Sequence, residues 1–418
     1  MVLLATTVLT LMAVVNYLVG DRRLLFPPVV FCTVWAADLL LVWLAGDFFF
    51  PLSDKTLEIF CCGGLFFSLG SALSFVYPRQ RSTKPSSVPS SLLINVLLAG
   101  LLISLPYAYN WVMTLTSGLT APTLLMAARI AMLDADAAGD SSILFGGVIT
   151  LSLIVAMIAF AENGKGKVRS IIAIALAIAL NLLTGGRSGA VILILALICI
   201  DWLKNGRMRW KPLLALSIMF VLVFGAMAIL IQKGEAQADA PLLENIRPVV
   251  EGFVLYAGGG AVGFDQVVRQ PNIIPHNWQI SKFFLETANK IGFRYEPPSQ
   301  HSEFLNVGPH VSGNVYTMYF AYIDLGYVGM VLTIALLGLV VTLVYQSALS
   351  GSKISVIMYA VFFSALILSP FSENFFMGLN FSIKIYAVSW LVYNFPARRE
   401  QFLQNVSRRV RMTRPSTL

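Results

Sequence analysis

The chain carries few charges for its length. Charged residues make up 12% of its 418 residues, and hydrophobic residues make up 57%. A typical soluble domain has about 25% charged residues, so an ordinary soluble protein is excluded. Apolar runs of about 17 to 25 residues recur along the chain, which is the length of a transmembrane helix. These runs do not alternate as the strands of a membrane barrel do. The sequence therefore predicts an all-α, polytopic helical membrane protein.

Cysteine and histidine are also scarce. The four cysteines all lie inside apolar runs, where they form neither a metal-ligand spacing nor a disulfide framework: Cys32, Cys61, Cys62 and Cys199. The three histidines all lie in one polar stretch, residues 233–313, without cysteine or closely spaced carboxylates: His276, His301 and His310. We therefore expect no metal site and no cofactor.

About eleven transmembrane helices are expected, within a range of 10 to 12. The candidate spans are 2–19, 25–45, 57–77, 92–114, 143–161, 168–184, 188–204, 212–232, 315–345, 354–372 and 377–394. Residues 1–232 would hold helices 1 to 8, and residues 314–394 would hold helices 9 to 11. The first basic residue, Arg22, follows the first apolar run, which predicts a retained helix rather than a cleaved signal.

The short connections alternate in charge, and this sets the expected topology. Most lysines and arginines lie in alternate connections and in the basic tail, residues 395–418. The positive-inside rule places these connections and the tail in the cytoplasm. Residues 233–313 would then be a large periplasmic loop of an inner-membrane protein. The tail is expected to bind anionic lipid rather than nucleic acid. A short helix near 121–134, too polar to span, is expected at the outer interface.

We predict that the polar stretch 233–313 is an irregular, water-facing segment. An irregular connection of this length is usually functional. Its arginines, and one in the short interfacial helix, are candidates for binding an anionic substrate: Arg247, Arg269, Arg294 and Arg129. Gly258-Gly259-Gly260 is expected to be a flexible break that resembles no nucleotide-binding motif. Aromatic side chains such as Tyr295 either stack on sugar rings or form an interfacial belt.

Arg187 lies in Thr184-Gly185-Gly186-Arg187-Ser188-Gly189, a predicted turn between two spans. One interpretation is an arginine that extends to the membrane interface and ends a helical hairpin. The other is a fixed guanidinium that binds phosphate at a helix start, where the helix dipole adds to the attraction.

Residues 308–317 are rich in turn formers and lead into the next apolar run. Ser312 or Asn314 is expected to cap a helix that carries Asp324 about ten residues in, roughly 15 Å along the axis. Tyr316, Phe320, Asp324 and Tyr327 would then share one face. Asp324 is either a functional group or a structural carboxylate bonded to a neighbouring helix.

The histidines of the polar stretch also have two interpretations. His310, near the expected mouth of the helix, is the first candidate for an acid or base, and His276 is the second. His301 has the spacing of a surface pair with Glu303. For each of them an ordinary loop role is the alternative.

Two motifs and the layout of the chain resemble the O-antigen polymerases (Wzy, oligosaccharide repeat-unit polymerases) and, less closely, the O-antigen ligases. The motifs are Gly186-Arg187-Ser188-Gly189 and Asn314-Val315-Tyr316-Thr317 followed by Asp324-Leu325-Gly326-Tyr327-Val328-Gly329. Where the ligases have a histidine directly before the asparagine, this chain has Gly313.

The resemblance implies a GT-C-like, metal-independent glycosyltransferase. It would use undecaprenyl-diphosphate-linked glycans as donor and acceptor, among membrane lipids, beside a chain-length regulator and a flippase. It implies His310, Asn314 and Asp324 as catalytic residues. The implied substrate-binding residues are Arg187, Arg129, Arg247, Arg269, Arg294, His276 and Tyr316.

Three other functions stay open at this point. A ligase would share the donor and transfer the glycan to lipid A-core. A transporter or flippase would place charges near the bilayer midplane, whereas the polar groups here crowd one face. A membrane acyltransferase would use a lone histidine as base, with its polar groups within the membrane body.

Overall fold

The computed structural model consists mainly of helices and contains one short β-hairpin among the residues that it describes. It describes residues 1–20, 22–76, 91–121, 123–138, 143–162, 167–183, 188–206, 242–271, 273–274, 279–295, 304–315 and 317–394, together with positions 214, 218 and 225. The predicted all-α class is confirmed in these residues.

Seven of the described helices are long and apolar enough to cross a membrane. They are α1 (Val2–Val19), α2 (Pro27–Leu44), α3 (Asp54–Leu73, extended by a 3-10 turn to Val76), α4 (Ser91–Thr116), α6 (Ile143–Ala161), α8 (Ser188–Asn205) and α11 (Ala321–Leu349). Such helices characterise a membrane-embedded, multi-pass protein.

Shorter helices cover three further predicted spans: α7 (Lys167–Leu182), α12 (Lys353–Ile367) and α13 (379–394). The predicted span 212–232 and the basic tail 395–418 lie outside the described residues, apart from positions 214, 218 and 225. The count of eleven therefore stays a prediction. The short helix expected near 121–134 is present as α5 (Leu124–Ala138), and its place at the interface stays a prediction.

The helices α3 and α11 cross at very close range. A Cβ on Gly70 would collide with the carbonyl of Ala335, and one on Gly338 would collide with the carbonyl of Phe67. Small residues at such crossings let helix backbones approach in a membrane. Ser71 donates a hydrogen bond across the crossing to the carbonyl of Gly338 at 3.1 Å. The helices α3 and α11 are therefore packed closely against each other.

A buried aromatic cluster joins α2 and α3 to the turn before α11. Trp35 and Tyr319 meet edge to face with ring centroids 4.7 Å apart, and Phe60 lies 4.7 Å from Trp35. The hydroxyl of Tyr319 donates to the carbonyl of Phe60 at 2.9 Å, so its polar end is satisfied. The turn at residues 317–320 is thereby fixed inside the bundle.

One end of the bundle gathers the ends of four helices around an ion pair. Lys353, at the start of α12, lies 3.0 Å from Glu162, which follows α6. Tyr393 of α13 donates to the same carboxylate at 3.1 Å. Lys204, at the end of α8, donates to the carbonyl of Ala161.

The described part of the polar stretch has more regular secondary structure than the sequence indicated. It contains α9 (Leu242–Arg269), a 3-10 turn (Gln279–Ser281), α10 (Lys282–Lys290) and an antiparallel hairpin, β1 (Phe304–Gly308) and β2 (Val311–Asn314). The expectation of an irregular segment is therefore wrong for these residues. Gly258–Gly260, expected to be a flexible break, lies inside α9, where all three glycines are buried.

Candidate functional site

The candidate site lies at the end of the bundle opposite the Glu162 ion pair. Here α2 and α12 end and α3 and α11 begin. Four segments meet over these helix ends, and we call them the cap: residues 46–53, α9, the β1–β2 hairpin and residues 368–378. They belong to distant parts of the chain, so tertiary contacts alone bring them together.

Backbone contacts hold the hairpin in the cap. Phe50 donates its N–H to the carbonyl of Val307 at 2.8 Å, which joins the 46–53 connection to β1. A Cβ on Gly308 would collide with the carbonyl of Phe48. A Cβ on Gly313 would lie 3.0 Å from the carbonyl of Gly259, so β2 lies directly on α9. These glycines are required by close approach of one backbone to another.

The 368–378 connection closes the cap from the other side. The carbonyl of Ser369 accepts a hydrogen bond from the N–H of Met318 at 3.0 Å. A Cβ on Gly260 would collide with the carbonyl of Pro370. Tyr256 packs on Phe371 with ring centroids 4.7 Å apart. The helix α9 is therefore packed between the hairpin and this connection.

A buried carboxylate organises the polar part of the cap. Asp265 of α9 is 0% exposed, and its Oδ1 accepts hydrogen bonds from the backbone N–H of Ser53, at 2.9 Å, and from the Ser53 hydroxyl. Ser53 is also the N-cap residue of α3, where its side chain accepts from Thr56. One carboxylate thus joins α9 to the start of α3.

Arg269 completes this polar cluster. Its Nε lies 2.7 Å from Oδ2 of Asp265, and its Nη2 donates to the carbonyl of Pro51. Its side chain is still 41% exposed. An arginine has five N–H donors in a planar fork, so these two contacts fix the orientation of the guanidinium and leave donors for a ligand. Among the predicted arginines, Arg269 is the one whose guanidinium is shown bonded to the 46–53 connection.

Glu373 fixes the 368–378 connection from within. It is buried, and its carboxylate accepts hydrogen bonds from the backbone N–H groups of Phe375, Phe376 and Met377 at 2.6 to 3.0 Å. Burial raises the pKa of Glu373, and these backbone donors partly offset the rise. The arrangement gives Glu373 a structural role at the edge of the site.

His310 and Asn314 lie on the hairpin rather than at a helix start. His310 is exposed in the turn between β1 and β2. Asn314 pairs with Phe304 at the end of β2, and its side chain is outside the described residues. The helix α11 begins at Ala321, after Phe320 as N-cap residue. The prediction that Ser312 or Asn314 caps this helix is therefore wrong.

Asp324 lies in the first turn of α11 and not about ten residues into it, so its predicted depth is wrong. Gly326 breaks the helix at φ 67°, ψ −170°, a conformation that favours glycine. A continuous face from residue 316 to Tyr327 is therefore wrong as well. The carboxylate of Asp324 accepts the N–H of Ile280 at 3.0 Å. This contact supports the structural interpretation of Asp324.

The other predicted arginines are dispersed. Arg247 is exposed near the start of α9 and pairs with Glu251 at 2.8 Å. Arg294 is exposed after α10, and Arg129 is half-buried on α5. Three predicted site residues lie outside the described residues: Arg187, His276 and Tyr316. The same holds for His301.

Sequence reasoning missed Asp265, Ser53 and Glu373. The spacing of Asp265 and Arg269, four residues apart, was a visible signal of a helical ion pair, but it has meaning only if the stretch is helical. Nothing local marks Ser53 as the partner of a residue 212 positions away. Within the described residues, no three histidine, cysteine or acidic side chains come together as a metal site would need.

No family model, no curated protein and no solved structure matches this chain. The geometry of the cap and the chemistry of its residues therefore carry the functional argument.

Proposed function

We propose that this protein is a membrane glycosyltransferase that polymerises undecaprenyl-diphosphate-linked oligosaccharide repeat units at the periplasmic face of the bacterial inner membrane. The observation that carries the proposal is Arg269, an arginine fixed by a buried carboxylate and a backbone carbonyl yet 41% exposed at the helix ends. A preoriented guanidinium at this level suits a diphosphate that is anchored in the bilayer by its lipid.

The reaction needs little else from the protein. A hydroxyl of the acceptor sugar attacks the anomeric carbon of the donor glycan, and the bond from that carbon to the diphosphate oxygen breaks. The leaving diphosphate carries the developing negative charge, which Arg269 offsets. The hydroxyl proton goes to a base or to water, since an activated donor requires only weak base assistance.

His310 is the proposed proton acceptor. It is exposed at the hairpin turn, and the hairpin is bonded through Val307 to Phe50, the residue before the Pro51 whose carbonyl holds Arg269. The two residues therefore lie on segments of the cap that these hydrogen bonds connect. In this proposal Asp324 is a positioning residue, because it holds the 3-10 turn at Ile280 against α11.

The test is the surface-polysaccharide ladder of a deletion strain that carries each variant. Arg269→Ala should leave mainly single-repeat product, and Arg269→Lys should lose most of the activity, because lysine keeps the charge without the fork. Lys55→Ala is the matched control, since Lys55 is an exposed cation at the same end of the bundle, and it should restore the full ladder.

A full polysaccharide ladder from Arg269→Ala, at a normal level of the protein, would contradict the proposal. The deletion strain itself tests the nearest alternative. Loss of all polymer, including the single-repeat band, would favour a ligase that transfers the glycan to lipid A-core.

A further inference from the structure

The segment 279–295 exposes large apolar side chains and buries a charged one, whereas a helix that faces water does the reverse. On α10 the charged Lys282 is 8% exposed and pairs with Glu286 at 3.8 Å. On the outer side Phe284 is 60% exposed, and Ile291 beyond the helix is 74% exposed. Water drives apolar groups inward and leaves charges outside. The outer face of this segment is therefore suited to apolar surroundings.

The exposed apolar groups are held in place by a closed turn. The side-chain amide of Asn289 donates to the carbonyl of Tyr295 and accepts from its N–H, both at 2.7 Å. Gly292 in this turn has φ +102°, which a residue with a side chain rarely adopts. The rings of Phe293 and Tyr295 stack with centroids 6.0 Å apart. The turn therefore displays its apolar side chains from a defined backbone.

The position of the segment identifies its surroundings. The N–H of Ile280 is bonded to Asp324 in the first turn of α11, a helix long and apolar enough to span a membrane. Beyond the break at Gly326 an exposed apolar stripe runs along α11 at helical spacing: Val328, Leu332 and Leu336. In a membrane helix such a stripe faces lipid. The segment therefore lies beside the level at which α11 leaves the hydrocarbon layer.

We propose that residues 279–295 form a membrane-docking surface that lies in the lipid interface next to α11. Phe284, Ile291 and Phe293 enter the boundary between headgroups and acyl chains, as the apolar face of an interfacial helix does. Arg294, exposed between two aromatic residues, binds lipid phosphate, and Tyr295 lies at headgroup level. This inference does not depend on the proposed enzymatic function.

Continuity with the lipid-facing stripe of α11 favours the bilayer over a second protein. A protein partner would need a surface that avoids the adjoining lipid, whereas the bilayer covers both faces at once. The contact would also hold the second half of the polar stretch against the membrane beside the cap.

Nitroxide accessibility in nanodiscs of phosphatidylethanolamine and phosphatidylglycerol, with one protein copy per disc, tests the proposal. In a chain whose four native cysteines are replaced, Phe284→Cys or Ile291→Cys provides the site for the nitroxide label. We expect several-fold greater accessibility to oxygen than to a water-soluble nickel chelate at both positions. Position 306, exposed on the hairpin strand β1, is the matched control and should show the reverse order.

A second measurement leaves the native chain unchanged. A phospholipid with a photoreactive diazirine in its acyl chain is incorporated into the discs, and the labelled peptides are identified by mass spectrometry. Peptides covering 282–295 should carry adducts, and peptides covering 304–314 should not. Chelate accessibility at 284 and 291 equal to that at 306 would overturn the proposal. Low accessibility of positions 284 and 291 to both oxygen and the nickel chelate, without lipid adducts, would also overturn the proposal, in favour of a protein partner.

Discussion

The cluster of Asp265, Ser53 and Arg269 gives the sharpest prediction about stability. Asp265→Ala removes two hydrogen bonds to a fully buried carboxylate and one ion pair. A hydrogen bond to a charged group contributes about 1.5 to 3 kcal/mol. Because Ser53 is only partly buried and water reaches Arg269, we expect a net loss of about 3 kcal/mol rather than the full sum.

Arg269→Ala should cost less, about 1 kcal/mol, because 41% of its side chain is exposed and solvent screens the ion pair. The carboxylate of Asp265 keeps both donors of Ser53 in this variant. In the double variant the ion pair is already lost with Asp265, so adding Arg269→Ala should change little. The coupling between the two sites should be about 1 kcal/mol.

The assay is the apparent melting temperature of the purified protein in nanodiscs, with Arg247→Ala as control. Arg247 is also bonded to an acid four residues away on α9, but that pair is exposed, so its removal should leave the melting temperature unchanged. The order from most to least stable should be Arg247→Ala, Arg269→Ala, then Asp265→Ala and the double variant together. Additive effects, or a larger loss for Arg269→Ala than for Asp265→Ala, would refute the reasoning.

Three further outcomes are expected. His310→Ala should lower polymer formation at least tenfold with an unchanged melting temperature. Ser312→Ala, on the same hairpin, should leave polymer formation unchanged. Equal polysaccharide ladders from the two variants would show that His310 is not the base. Gly260→Val should disrupt the fold, because its side chain would meet the carbonyl of Pro370; a monodisperse, active protein would contradict the packing described. Since burial raises the pKa of Glu373 above its ordinary 4.5, the folded state holds that proton more tightly than the unfolded state. The wild type should therefore lose stability relative to Glu373→Gln as pH rises from about 4.5, and a parallel pH profile of the two proteins would contradict this.

The sequence by itself determined the helical, membrane-embedded class of the protein and the approximate positions of its apolar helices. In lipid a chain must satisfy its own backbone hydrogen bonds and expose apolar side chains. Each membrane span is therefore a continuous apolar run that can be recognised in the local sequence. Ten of the eleven predicted spans overlap described helices, with bounds that agree within about six residues, as α1 to α4, α6 to α8 and α11 to α13 show. The start of α11 was misplaced because the described residues between the hairpin and Ala321, positions 315 and 317–320, are not part of an α-helix.

Only the tertiary structure decided the cap. Its polar stretch carries no long apolar run, so local periodicity did not distinguish α9 from an irregular loop, and its three consecutive glycines suggested a break. Gly260 is required because α9 closely approaches the carbonyl of Pro370, and a Cβ on Gly258 would collide with the side chains of Val42 and Phe49. Arg269 differs from the arginines 247 and 294 not in its local sequence but in the buried Asp265 and the carbonyl of Pro51. Such a site depends on contacts between residues more than 200 positions apart, which no local pattern specifies.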